Sequence, residues 1–170
     1  RLRRLDEHAE IVVLERSGYV SYANCGLPYY IGGTIRERKK LTLQTPESFR
    51  RRFNVDVRVH SEAVGILRES KQVRVRRVQD GSEYLESYDA LVYSPGARAV
   101  VPPFVPAHER VFTLRTVEDT FRIDDFVREK APRSALVIGG GFIGLEAAEN
   151  LLARGMRVTL IQLEEQVMPP

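Results

Sequence analysis

A single cysteine stands among the 170 residues of the sequence. That excludes an intramolecular disulfide framework and an internal Cys-x-x-x-x-Cys redox pair, and it argues for a reducing, cytoplasmic setting. Three scattered histidines add no Cys/His cluster of metal-ligand spacing, so no resident metal is expected. No apolar run approaches transmembrane length, and no charged, apolar and small-residue signal opens the chain. An excess of one charge is lacking too: 26 Lys and Arg against 23 Asp and Glu leave a net charge of +3. The arginines fall in separate clusters without aromatic interleaving, which argues against a general nucleic-acid surface. What remains is ordinary for a globular protein, 43% hydrophobic and 29% charged. Its length suits one domain or parts of two.

The cysteine lies in Ser21-Tyr22-Ala23-Asn24-Cys25-Gly26-Leu27-Pro28-Tyr29-Tyr30. Pro28 sits where a helix can begin, since its fixed φ and missing N–H cost little at the first helical position. Cys25 then lies just before a helix N-terminus, where the dipole and free N–H groups favour a thiolate. The residues alone leave two readings: a redox or nucleophilic cysteine, or a small buried hydrophobe.

Arg1 to Asp6 reads as the tail of a helix, and Ile11 to Glu15 as a buried strand ending in an acid. Such an acid closes the second half of a βαβ dinucleotide unit and accepts hydrogen bonds from an adenosine ribose. The strand and glycine turn of the first half are expected ahead of Arg1, so the chain reads as a fragment. A basic connection, Arg36-Glu37-Arg38-Lys39-Lys40, precedes a helix capped by Thr45, with Pro46 first and Glu47 in its opening turn, running to about Phe53. Short β runs follow at 55–59, 63–67 and 73–78, then a hairpin at Asp80-Gly81 and a return strand from Glu83 to Tyr88. The Val/Arg alternation puts valines inward and arginines in water. Tyr88 to Tyr93 reads as another buried strand, closed by Ser94-Pro95-Gly96-Ala97. Pro102, Pro103 and Pro106 mark a domain boundary. Val111 to Leu114 reads as a short strand, and Thr116 as the cap of a helix through about Ala131.

Ser134 to Ile138 then runs directly into Gly139-Gly140-Gly141-Phe142-Ile143-Gly144. This is Gly-x-Gly-x-x-Gly between a predicted strand and a predicted helix. Gly139 permits the tight turn, Gly141 lets the backbone approach a pyrophosphate, and Gly144 lets helix and strand pack closely. The phosphates are expected over the helix N-terminus. Gly155 ends that helix, and Val158 to Ile161 is the next strand. At its end, where an acid is expected, stands Gln162, with Glu164 and Glu165 just beyond. No arginine is near to take a 2′-phosphate, so the pattern favours NADH over NADPH.

Two dinucleotide units flanking a lone cysteine resemble the pyridine nucleotide–disulfide oxidoreductases. The cysteine segment is similar to the single-cysteine branch of that family, the coenzyme A-disulfide and NAD(P)H coenzyme A-persulfide reductases, some of them fused to rhodanese domains. Further matches run through Thr45-Pro46-Glu47-Ser48-Phe49, Glu86-Ser87-Tyr88-Asp89, Ser94-Pro95-Gly96-Ala97, Thr113-Leu114-Arg115 and Gln166-Val167-Met168-Pro169. The resemblance implies an α/β fold of two Rossmann-like, three-layer units, both incomplete here. Residues 1–103 would belong to an FAD-binding domain lacking its first strand and glycine loop, and residues 104–170 would begin an NAD(P)H-binding domain.

Residue by residue, the resemblance implies that Glu15 holds the FAD ribose and that Ser94, Pro95 and Gly96 line the FAD site. Cys25 would be the nucleophile beside the flavin. Ser21 and Asn24 would contact coenzyme A near its reactive end, and Arg4 and Arg1 would meet its phosphates. Gly139, Gly141, Gly144, Gln162 and Glu164 would hold NAD(P)H. Electrons would pass from NAD(P)H through FAD to Cys25, which would reduce coenzyme A disulfide or persulfide. The family also implies a cytoplasmic homodimer whose partner subunit donates catalytic tyrosines from beyond Pro170. The fragment alone is therefore expected neither to hold FAD tightly nor to turn over. Two other readings compete: an NADH oxidase or peroxidase cycling Cys25 through sulfenic acid, and a non-catalytic nucleotide-binding flavoprotein in which the cysteine is incidental.

Overall fold

A computed structural model describes residues 1–168. Its backbone packs as two compact units, one of Arg1–Tyr22 with Thr42–Gly96, the other of Ala23–Leu41 with Ala97 onward. Both are mixed α/β.

The first unit opens with one helical turn, α1 (Leu2–Leu5), and a short strand β1 (Val12–Leu14). β1 pairs in parallel with β4 (Asp56–Arg58), in the register Val12 to Asp56, Val13 to Val57 and Leu14 to Arg58. The predicted strand at 11–15 is therefore present, but half-buried where full burial was expected. Val12 is exposed. Between them lie β2 (Ser21–Tyr22), its antiparallel partner β3 (Thr42–Gln44), and α3 (Pro46–Phe53). α3 has the predicted bounds because its signals are local. Thr45 Oγ1 accepts from Ser48 N and Ser48 Oγ accepts from Thr45 N, a reciprocal capping box.

A three-stranded antiparallel sheet completes the unit: β5 (Ser61–Leu67), β6 (Gln72–Arg77) and β7 (Glu83–Ser87). Val73 and Val75 are buried while Arg74, Arg76 and Arg77 face water, as the alternation predicts. Gly81 takes φ +73 at the hairpin, and Asp80 Oδ1 accepts from both the N–H and the hydroxyl of Ser82. Arg58 ties β4 to β7 through Glu86 and Tyr84. The Glu86 hydrogen bond holds its guanidinium pKa well above the usual range.

The second unit contains α2 (Leu27–Ile31), α4 (Val117–Lys130), β8 (Ser134–Ile138), α5 (Phe142–Ala153) and β9 (Arg157–Ile161). β8 and β9 are parallel neighbours in register, and α5 crosses between them as a βαβ unit. Thr116 caps α4 as predicted, its Oγ1 accepting from Asp119 N. The core of this unit sits where α2, α4 and α5 meet: Leu27, Tyr30, Ile31, Leu41, Val117, Phe121, Ala148 and Met156 are all buried. The Tyr30 and Phe121 rings meet edge-on at 5.5 Å.

Two predicted strands do not form. Residues 88–93 and 111–114 are irregular, and Leu91, Val92 and Tyr93 stand exposed. An apolar run becomes a strand only where a neighbouring strand offers unpaired backbone groups. Among the described residues no ladder reaches either segment. No described helix is long and apolar enough to cross a membrane.

Candidate functional site

The cysteine turn is built from both ends. Asn24–Gly26 forms one turn of 3-10 helix that feeds α2, which begins at Leu27, so Pro28 takes its second position rather than the expected first. Ala23 N donates to the Leu41 carbonyl (2.8 Å) and Gly26 N to Ala23 O (2.9 Å), so the turn is anchored on a fully buried residue. A β-carbon on Gly26 would stand 3.1 Å from both Ile35 Cδ1 and Leu41 Cδ2, so any larger residue needs those side chains to give by a few tenths of an ångström. Below it, Leu27, Pro28, Tyr30 and Ile31 are buried. Above it, Asn24 and Cys25 are exposed. Cys25 is thus an exposed thiol in this chain, on a turn whose flanks are buried.

The glycine loop lies in the same unit. Gly139 takes φ +108, a left-handed conformation that side chains resist. A β-carbon on Gly144 would overlap the carbonyl oxygen of Gly139, whereas one on Gly141 would meet nothing within 4 Å. The tight turn falls on Gly139, the open backbone on Gly141 and the close packing on Gly144, matching the expected geometry. The α5 N-terminus rises from Gly141, and the open backbone there suits a pyrophosphate.

Gln162 does something its position in the sequence does not announce. Its Oε1 accepts from Gly140 N at 2.8 Å, and Met168 N donates to Gly140 O at 2.9 Å. The segment after β9 therefore folds back over the loop and makes Gly140 a structural member of it. Glu164 and Glu165 are exposed and lie beyond the strand end. Pro169, the last residue of the motif beginning at Gln166, lies outside the described residues.

The remaining predicted residues belong to the first unit. Glu15 follows β1, half-buried, and its Oε1 accepts from Ser17 N at 2.7 Å. A carboxylate at the carboxyl end of a parallel strand suits ribose hydroxyls. Ser94, Pro95 and Gly96 are exposed and irregular, with Gly96 at φ +73. Ser21 is half-buried in β2, paired to Gln44. Arg1 and Arg4 flank Arg3, and the three differ sharply. Arg3 donates to the carbonyls of Phe53, Asn54, Asp6 and Glu7, capping the end of α3. Arg4 and Arg1 are exposed, and neither side chain makes a hydrogen bond or ion pair among the described residues.

Sequence reasoning missed a polar knot beneath α2. Arg154 Nη1 donates to Ile31 O (3.0 Å) and to Asp124 Oδ1 (3.3 Å). Arg38 donates to both carboxylate oxygens of Asp125, at 2.6 and 2.9 Å, and lies 4.4 Å over the Phe121 ring. Hydrogen bonds to Tyr30 and Asp125 raise the Arg38 pKa above its ordinary value. The available signal was Glu146, Asn150 and Arg154, a polar stripe at i, i+4 and i+8 on a helix whose one other charged residue is Glu149.

Comparison with known proteins fits this geometry. The profile of the pyridine nucleotide-disulphide oxidoreductase family matches residues 1–170. The chain is 41% identical over 167 residues to the coenzyme A disulfide reductase of Staphylococcus haemolyticus (strain JCSC1435), covering 98% of this chain and 38% of that protein. Among solved structures, reduced Bacillus anthracis CoADR-RHD superposes with a TM-score of 0.94 at 53% identity, covering 99% of this chain and 31% of the other. An NAD-dependent persulfide reductase from A. fulgidus gives 0.93 at 40% identity, again over 99% and 31%. The chain spans roughly a third of the length of these relatives.

Proposed function

Because the chain belongs to the pyridine nucleotide-disulphide oxidoreductase family, we propose that the whole protein uses NAD(P)H and FAD to reduce coenzyme A disulfide or persulfide at Cys25. The observation that carries this reading is the exposed thiol on a turn whose flanks are buried. Its likeness to a coenzyme A disulfide reductase and to a persulfide reductase supports the substrate class.

When bound, FAD and NAD(P)H supply the two-electron exchange between hydride and sulfur. The chain supplies the seats. Gly139, Gly141 and Gly144 would hold the NAD(P)H pyrophosphate at the α5 N-terminus, and Gln162 and Glu164 would serve its adenosine ribose. The lack of an arginine just after the strand in the sequence, where it could take a 2′-phosphate, favours NADH over NADPH. Glu15, Ser94, Pro95 and Gly96 serve FAD, and the boundary between the two cofactor domains falls at residue 103. Ser21 and Asn24 hold the reactive end of coenzyme A, while Arg4 and Arg1 take its phosphates. Arg4 suits that task because, unlike Arg3, its donors are unspent. The working protein is a cytoplasmic homodimer.

The Cys25 thiolate attacks one sulfur of coenzyme A disulfide. The S–S bond breaks, a Cys25–coenzyme A disulfide forms, and one coenzyme A thiolate leaves. Two electrons and a proton then restore the Cys25 thiolate and release the second coenzyme A as thiol. The sum is NAD(P)H, one proton and the disulfide giving NAD(P)⁺ and two thiols.

Intact-mass analysis of the whole protein, before and after thiol reduction, tests this. A reducible adduct of coenzyme A mass on Cys25 is expected. An oxygen-sized adduct would instead point to an oxidase or peroxidase. An unmodified thiol together with a fully active Cys25→Ser variant would make the cysteine incidental.

A further inference from the structure

The cysteine stands on a helix that cannot hold itself. α2 has five residues, Leu27–Ile31, and a single turn has too few internal hydrogen bonds to offset its nucleation cost. Its direction is therefore set by what grips its ends. The N-terminal grip is the Ala23–Leu41 hydrogen bond and the tight seat of Gly26. The C-terminal grip is Arg154, the residue that ends α5, whose Nη1 donates to the last carbonyl of α2 at 3.0 Å.

Arg154 is itself held. Asp124 of α4 is 1% exposed, and its Oδ1 receives the same Nη1 at 3.3 Å. Arg128 Nε lies 2.8 Å from Asp124 Oδ2 as an ion pair, yet Oδ2 accepts no properly directed hydrogen bond. A buried carboxylate so dependent on its cations fixes the position of Arg154. Beside it, Gly32 lies so close to Asn150 of α5 that a β-carbon would overlap the Asn150 side chain. Two helices, α4 and α5, thus converge on the end of α2, and five residues separate its last residue from Cys25.

We infer that Arg154, braced by Asp124, is a positioning residue for Cys25: it fixes the C-terminal carbonyl of α2 and so the place at which the thiol meets its reaction partners. The inference rests on Cys25 as the reacting sulfur. Arg154 touches no substrate in this role and acts through α2.

The test uses the full-length flavoprotein with Arg154→Met and Arg154→Lys. Lysine keeps a charge for Asp124 but lacks the planar guanidinium whose single Nη1 reaches carbonyl and carboxylate from a fixed position, and it guards against a methionine variant that fails to fold. Three quantities are read: disulfide turnover, reduction of ferricyanide (which takes electrons without a sulfur intermediate), and the alkylation rate of Cys25 by iodoacetamide in the folded protein. Misplacing the thiol lowers kcat for the disulfide by about tenfold or more. Ferricyanide reduction stays within about twofold, and the alkylation rate changes by about threefold or more, with lysine between methionine and wild type. Parallel loss of both activities with unchanged Cys25 alkylation would reduce Arg154 to a stability residue and overturn the inference. So would a methionine variant indistinguishable from wild type. Wild-type protein without disulfide turnover would instead sink the functional reading, and the alkylation rates alone would then decide the role of Arg154.

Discussion

The side-chain oxygen of Gln162 holds the backbone N–H of Gly140 at 2.8 Å. The residue at the end of β9 is thus part of the glycine loop's own scaffold. Gln162→Glu keeps an acceptor for that N–H and, under the proposed NAD(P)H site, adds a negative charge beside the ribose at which the two cofactors differ by one phosphate. The expected outcome is a fall in kcat/KM for NADPH relative to NADH on the order of tenfold, from like-charge repulsion. Gln162→Leu strands the buried Gly140 N–H, costs about 1–3 kcal/mol, and weakens both cofactors alike. Steady-state kinetics with each nucleotide decides; an unchanged NADPH/NADH ratio in the glutamate variant would refute the assignment.

Gly141 and Gly144 make a sharper pair. Gly141 has φ −77 and ψ −178, an extended conformation open to any residue, and space around its β position. Gly141→Ala is expected to leave the melting temperature unchanged and to weaken NAD(P)H binding, because the obstacle it adds meets only the ligand. Gly144→Ala forces its methyl into a backbone oxygen, an overpacking cost of about 1–3 kcal/mol or more. Its melting temperature falls even without nucleotide. Calorimetry paired with a nucleotide titration separates the two.

Cys25 and Ile31 sit six residues apart with opposite burdens. Cys25 is exposed, so Cys25→Ser should change stability by no more than about 0.5 kcal/mol while abolishing disulfide turnover. Ile31 is 1% exposed, and Ile31→Ala should cost about 2–5 kcal/mol by opening a cavity under the turn. Denaturant unfolding set beside turnover shows whether chemistry and support divide this way. A large stability loss in the serine variant would contradict it.

What could be read from the sequence was what neighbours in the chain decide. Thr45 and Thr116 cap their helices through residues three positions on, so both starts were legible, as were the Asp80-Gly81 hairpin and the three glycine roles. Tyr88–Tyr93 and Val111–Leu114 have strand composition, but a strand also needs a partner edge, and composition carries no record of one. The turn before Pro28 was legible in the same local way, whereas the exposure of Cys25 was not, since the residues alone suit a buried cysteine as well. The knot beneath them was not: Arg154 and Ile31 lie 123 positions apart, and their contact exists only after α2, α4 and α5 have packed. Gln162 is the intermediate case, for its place at the strand end was visible and its grip on Gly140 was not.

One acid-sensitive contact lies outside the site, in the β5–β6 sheet. Arg76 Nη2 donates to Glu62 Oε2 at 2.6 Å across the strands, and this hydrogen bond, helped by Arg16, holds the Glu62 carboxyl below the usual carboxylate range. A depressed carboxylate binds its proton more readily in the unfolded chain, so stability falls as pH drops. The contribution of Glu62 is therefore whole at neutral pH, declines once pH falls through the ordinary carboxylate range, and is gone below the folded value. The stability difference between wild type and Glu62→Gln, followed by unfolding from neutral to acid pH, should be flat and then shrink to nothing. Because the pair is partly exposed, about 0.5 M salt should shrink the neutral-pH difference as well. A difference that grows toward acid pH would mean that Glu62 is held by something other than its arginines.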